Sequence, residues 1–233
     1  MDLSRQNLIC ICPNSEGQAT ESLKKGEIIF MEVYYIGGSP CSGKSSIAEL
    51  IVAKHDFTYF KLDDFIFPYM QQAADSGEPI SSAQLSMDFE QMWMHDPKLQ
   101  AQEEFAVYAE IFPYALKDIA ALNSEKPIIA EGAGFLPELI EKQGIPANRY
   151  ICIVPTERFQ RENYAKREWI GEYLKGCSKP SAAFDNWMCR DALFAAEVLN
   201  QAKMFGYASI SVDGNSTVAE NYDVVINTFE LAR

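Results

Sequence analysis

The chain of 233 residues carries 33 acidic against 20 basic side chains, a net charge of −13, and 48% of its residues are hydrophobic. That balance argues against a general nucleic-acid binder, whose phosphate contacts need a basic stripe, and no apolar run approaches the about 20 residues of a membrane span. Length and composition suit one α/β domain with an insertion, expected to be soluble and cytoplasmic. The six cysteines, Cys10, Cys12, Cys41, Cys152, Cys177 and Cys189, show no paired C-x-x-C spacing. Neither a zinc site nor a disulfide framework is indicated, and free thiols are expected.

Residues 1–30 read as an N-terminal extension: Leu8-Ile9-Cys10-Ile11-Cys12 has strand composition, while Asn14 to Gly26 is polar and turn-like. The segment is either a plain appendage or untranslated: Lys24-Lys25-Gly26-Glu27 can be encoded by codons containing a ribosome-binding signal shortly before Met31, which would put the translation start there. A peptide from upstream of Met31 in the native protein would exclude this. Residues 31–233 are expected to form a single domain.

Val33-Tyr34-Tyr35-Ile36 is a β-branched and aromatic run ending at Gly37-Gly38, which predicts a buried strand. It leads into Gly38-Ser39-Pro40-Cys41-Ser42-Gly43-Lys44-Ser45, the phosphate-binding loop pattern of glycine, four residues, then Gly-Lys-Ser. Downstream, Ile47, Leu50 and Ile51 recur at helical spacing, so a helix N-terminus points at the loop. Glycines there let backbone N–H groups turn inward around anionic phosphates. Residues Gly38, Ser39, Pro40, Cys41, Ser42, Gly43, Lys44, Ser45 and Ser46 are therefore the candidate nucleotide-binding set. Lys44 is expected at the β/γ-phosphates of ATP and Ser45 at Mg²⁺.

Phe57 to Leu62 has strand composition and stops at Asp63-Asp64-Phe65, placing carboxylates at a strand's C-terminal end. In an open parallel sheet that edge binds ligands, and this strand is expected beside the loop strand; a solvent-exposed acidic turn is the plainer reading. From Phe67 to Asn123 an aromatic- and methionine-rich pattern predicts an inserted helical pair, with a polar turn at Asp75-Ser76-Gly77-Glu78-Pro79. Asp96-Pro97 reads as the cap and first turn of a long helix towards Leu122, with Phe105, Tyr108, Ile111 and Phe112 on one face. That stripe is either plain core or the wall of a small-molecule site, for which Tyr69, Trp93 and His95 are candidates.

Pro127 to Ala130 predicts another buried strand, ending at Glu131 and the turn Gly132-Ala133-Gly134. Glu131 can orient Mg²⁺ or its waters, or merely cap the next helix. Tyr150 to Val154 is a further strand, followed within a region over 156–183 by a helix-like stretch bearing Arg158, Arg161, Lys166 and Arg167. On one continuous helix Arg158 and Arg161 share a face that Arg167 does not, so these charges converge on a phosphate only where the helix breaks. A solvated face is the alternative. Lys175 to Ser181 reads as a connection, Asp185 to Phe205 as a helix burying Leu193, Phe194, Val198 and Leu199, Ala208 to Val212 as the last strand, and Val218 to Phe229 as the closing helix.

The order of strand, phosphate loop, helix, strand ending in Asp-Asp-Phe, helical insertion, strand ending in Glu-Gly and arginine-bearing helix resembles the small-molecule kinases of the P-loop superfamily, the uridine kinase and phosphoribulokinase group above all. The resemblance implies a three-layer P-loop NTPase fold with a parallel sheet flanked by helices. It also implies ATP- and Mg²⁺-dependent phosphoryl transfer to a hydroxyl of a small molecule. In that group an Asp-Ser-Phe-Tyr motif follows the second strand and its Asp is the acceptor base. Asp63-Asp64-Phe65-Ile66 matches at the first and third positions. Asp63 is thereby the expected base, also within reach of the metal's water shell, Glu131-Gly132 matches the group's Glu-Gly, and Arg161 and Arg167 its mobile lid. The nucleotide base is expected near Asp213 to Ser216. The replaced Ser and Tyr leave uridine itself without support. A nucleotide-binding regulatory protein lacking transfer activity is the competing expectation.

Overall fold

The computed structural model of the protein describes residues 31–231. The expected extension over 1–30, with Cys10 and Cys12, lies outside them. Strands β1 (Val33–Gly38), β2 (Thr58–Lys61), β3 (Ile128–Glu131), β4 (Tyr150–Pro155) and β5 (Ala208–Val212) form one parallel sheet in the order β2-β3-β1-β4-β5. Alternate residues of β1 serve opposite faces, as strand geometry requires. Val33 and Tyr35 enter one core, while Tyr34 and Ile36 enter the other.

Helices α1 (Lys44–Lys54) and α10 (Val218–Thr228) cover one face through Ile47, Ile51, Tyr222 and Val225. Between β2 and β3 run four helices, α2 (Ile66–Asp75), α3 (Pro79–Ser86), α4 (Phe89–Met94) and α5 (Pro97–Ala121). Asp96 accepts from the N–H groups of Lys98 and Leu99 and starts α5, with Pro97 in its first turn. Tyr108, Ile111 and Phe112 of α5 join the core that Val33 and Tyr35 enter, with Phe105 packed partly against it. The same face carries α6 (Pro137–Lys142) and α9 (Pro180–Met204). The result is a three-layer α/β architecture.

Three expectations need correction. The strand ending at Asp63 is not beside the loop strand: β3 lies between β1 and β2. Thr58, Tyr59 and Lys61 are half-buried where β1, β3 and β4 are fully buried, consistent with an edge position. Leu193 is 41% exposed, because α9 turns Phe194 and Val198 inward and Leu193 away from them. The arginine-bearing stretch is two helices, α7 (Glu157–Tyr164) and α8 (Glu168–Leu174), separated at residues 165–167. Tyr164, Ile170 and Leu174 pack with Trp93 and Trp187 of α4 and α9, and this third apolar cluster bends the chain at the break.

Candidate active site

The phosphate loop joins β1 to α1, and its backbone shape follows from a few positions. At Gly38 φ is +127°, and a Cβ there would lie 1.9 Å from the Ile153 carbonyl oxygen. Only glycine allows β1 and β4 to approach so closely. Cys41 and Gly43 have φ of 65° and 81°, and such left-handed residues within a turn direct successive N–H groups into a common hollow. Lys44, 7% exposed, folds back over the loop: its Nζ donates to the Ser39 carbonyl at 2.7 Å and to Ser42 Oγ at 3.4 Å. Burial lowers its pKa, against the opposing pull of Glu131 and then Asp63.

Glu131 ends β3 and sits opposite Ile36 of β1, which places it next to the loop despite its distance in sequence. It is fully buried. Tyr59 Oη donates to its Oε1 at 2.9 Å, and the nearby Ser45 hydroxyl favours the charged form of the same carboxylate. Its Oε2 has no hydrogen-bond partner among the described residues. Burial raises the Glu131 pKa; Lys44 opposes that rise and Asp63 adds to it.

Asp63 lies in a 3₁₀ turn over Leu62–Asp64 that follows β2. The turn leans inward because Gly132 accepts Leu62 against it: a Cβ on Gly132 would lie 2.6 Å from that of Leu62. The charge of Asp63 is therefore felt at Lys44, Glu131 and Tyr108, although β3 separates its strand from β1. Asp64 faces elsewhere, into an outer cavity with Asp118 and Leu122.

Arg161 and Arg167, the arginines expected in a lid, are separated by the helix break. Arg161 on α7 pairs with Asp185 at 2.6 Å and Glu157 at 4.0 Å, and lines an outer groove with Leu174 and Lys175. Arg167, the residue that caps α8, reaches Cys41 Sγ with Nη2 at 3.5 Å and lies 4.6 Å from the Tyr164 ring centre. It lines a cavity of about 310 Å³ with Cys41, Gly43, Phe159, Ser216 and Asn221. This cavity lies beside the turn at Asp213, which accepts from the Asn215 backbone N–H at 2.9 Å.

Sequence reasoning missed a buried polar chain behind the loop. Gln160 Nε2 donates to Asp191 Oδ2 at 2.7 Å and to the Pro40 carbonyl at 3.4 Å. Asp191 in turn pairs with Arg190 Nε at 2.6 Å, and Arg190 Nη1 with Glu104 Oε2 at 2.8 Å. Burial pushes the Asp191 carboxyl up to about 7, against the lowering field of Arg190, whose own charge its two carboxylates hold in place. One signal was available: Asp191 precedes Phe194 and Val198 at helical spacing, on the face that enters the core. Tyr59, the donor to Glu131, carried none.

No family model and no curated protein matches the sequence. Among solved structures, the chain is similar to a "putative kinase" from Chloroflexus aurantiacus at 13% identity and a TM-score of 0.41, over 85% of this chain and 98% of that one. It is also similar to shikimate kinase from Aquifex aeolicus at 16% identity and a TM-score of 0.38, over 86% and 96% of the two chains. Both likenesses are too distant to assign a chemistry to this chain.

Proposed function

We propose that the protein is a phosphotransferase that moves the γ-phosphoryl group of ATP, with Mg²⁺, to a hydroxyl of a small molecule. The observation that carries this reading is the convergence of Lys44, Glu131 and Asp63 at the carboxyl edge of three strands, beside a loop with left-handed residues at positions 38, 41 and 43. A site for nucleotide binding alone has no use for a second carboxylate there.

The residues present fit both groups. Glu131 Oε2, buried and unpartnered, with the adjacent Ser45 hydroxyl forms an oxygen donor pair suited to a hard cation. Bound there, Mg²⁺ would supply charge neutralisation on the phosphate oxygens. Lys44 exchanges its bond to its own loop for the β/γ-phosphates. Arg167, poised over the loop at Cys41, adds positive charge where the leaving phosphate becomes more negative. Asp63 takes the proton from the acceptor hydroxyl as the new O–P bond forms and the bond to the β,γ-bridging oxygen breaks. The cavity between the loop, Phe159 and the turn after β5 suits the nucleotide's base and ribose. Arg161, held by Asp185, has no part in this arrangement.

The test is γ-labelled ATP with a panel of nucleosides, sugars, vitamins and small alcohols. Labelled acceptor formed by the native protein and lost in Lys44→Ala supports the reading. Nucleotide binding without transfer to any class would overturn it.

A further inference from the structure

A second cavity, of about 170 Å³, opens between α2, α4, α5 and α9. Ile66, Met70 and Met92 make its wall largely apolar. Tyr108 also lines it, and its ring lies with Leu62 against Gly134, where a Cβ would be 2.7 Å from Tyr108 and 2.8 Å from Leu62; the cavity thus adjoins the turn that carries the proposed base.

Two lining residues leave polar groups unmatched. Trp93 and Gln100 are 6% and 5% exposed, and among the described residues neither the indole Nε1–H of the first nor the Oε1 of the second has a hydrogen-bond partner. Native interiors rarely leave such groups orphaned, and the two side chains that carry them stand in the wall of this cavity.

The charges decide what kind of ligand. Arg190, the one arginine lining the cavity, is held between Glu104 at 2.8 Å and Asp191 at 2.6 Å, and no lysine lines it. Glu103 accepts from Gln84 at 2.9 Å and meets His95 Nε2 at 3.0 Å. The two lining glutamates thus exceed the available guanidinium charge, and an anion entering this apolar space would lose its hydration without gaining a cation.

We propose that this cavity binds the acceptor and selects one without negative charge: an alcohol with an apolar body that is neutral or carries an amine. This rests on the phosphotransferase reading for the word acceptor, but the binding preference stands apart from turnover. Carboxylate- and phosphate-bearing alcohols are excluded by the same charges.

All three tryptophans of the chain, Trp93, Trp169 and Trp187, lie in one cluster, with Trp93 and Trp187 stacked at 4.1 Å. Intrinsic fluorescence therefore reports on this cavity. The test titrates the full chain, without ATP, with 4-(hydroxymethyl)benzylamine, 1,4-benzenedimethanol and 4-(hydroxymethyl)benzoate, three alcohols of one skeleton that differ in charge. Transfer from labelled ATP is measured with the same three. The amine and the diol are expected to bind at least about tenfold more tightly than the benzoate, a difference of about 1.4 kcal/mol. Glu103→Gln keeps the oxygen that Gln84 and His95 contact but deletes the charge, and should narrow the gap between amine and benzoate several-fold. Equal or tighter benzoate binding, or no binding by any of the three, overturns the proposal. Selective binding of the amine or diol without transfer would leave it standing and remove the phosphotransferase reading instead.

Discussion

The side-chain amide of Gln160 bonds the buried carboxylate of Asp191 at 2.7 Å and so ties α7, which precedes the lid break, to α9. The same amide nitrogen reaches the Pro40 carbonyl of the phosphate loop, while Asp191 holds Arg190 at the wall of the second cavity. Nucleotide loop and proposed acceptor cavity are therefore joined by the two hydrogen bonds of Gln160 and the Asp191–Arg190 ion pair rather than by the sheet alone.

Asp191→Asn should change how stability depends on pH. With its folded value at about 7, above the ordinary 3.8, the native carboxyl contributes most at low pH, and that contribution is lost as pH rises through about 7. Each pH unit inside the window corresponds to at most about 1.4 kcal/mol. The asparagine variant lacks this titration, so its melting temperature should gain on the native protein's between pH 5 and 8. Parallel curves would show that Asp191 stays ionised throughout.

Lys44→Ala should reduce transfer by about 10²–10³ or more, since the lost charge acts where negative charge develops. The fold should survive, because the amine satisfies only its own loop, at Ser39 and Ser42. Turnover near the native rate, with an unchanged circular dichroism spectrum, would remove the phosphate assignment.

Asp63→Asn should leave nucleotide affinity near native and lower acceptor turnover by about 10² to 10⁴. Asp64→Asn should alter neither, since Asp64 faces the outer cavity with Asp118. Paired titrations of nucleotide binding and turnover on both variants distinguish the two. A sensitive Asp64 would shift the base by one residue.

Arg167→Ala and Arg161→Ala should diverge. Removing Arg167 takes a cation from beside the loop and should lower turnover by about 10². Removing Arg161 breaks a partly exposed pair with Asp185, worth at most about 1 kcal/mol of stability, with turnover unchanged. Equal losses in steady-state rate would mean that the break between α7 and α8 does not separate their roles.

The phosphate-loop pattern, the strand and helix on either side of it and the closing helix were legible in the sequence because their signals are local. Glycine at position 38, a β-branched run before it and apolar residues at 47 and 51 act within a few residues of one another. The cap at Asp96 and the polar turn before Pro79 are legible for the same reason. What the tertiary structure alone decided depends on which surfaces meet. The order of strands places β3 between β1 and β2, which brings Glu131 to the loop and leaves Asp63 to arrive over Gly132. An apolar run reports that a strand is buried, not what lies beside it. The break at residues 165–167 has no proline or glycine to announce it; it follows from the packing of Tyr164 and Ile170 on Trp187 and its neighbours. Asp191 reads as a polar residue on a helix until burial beside Arg190 and Gln160 makes it part of the site, because desolvation is a property of the assembled surroundings and not of the residue.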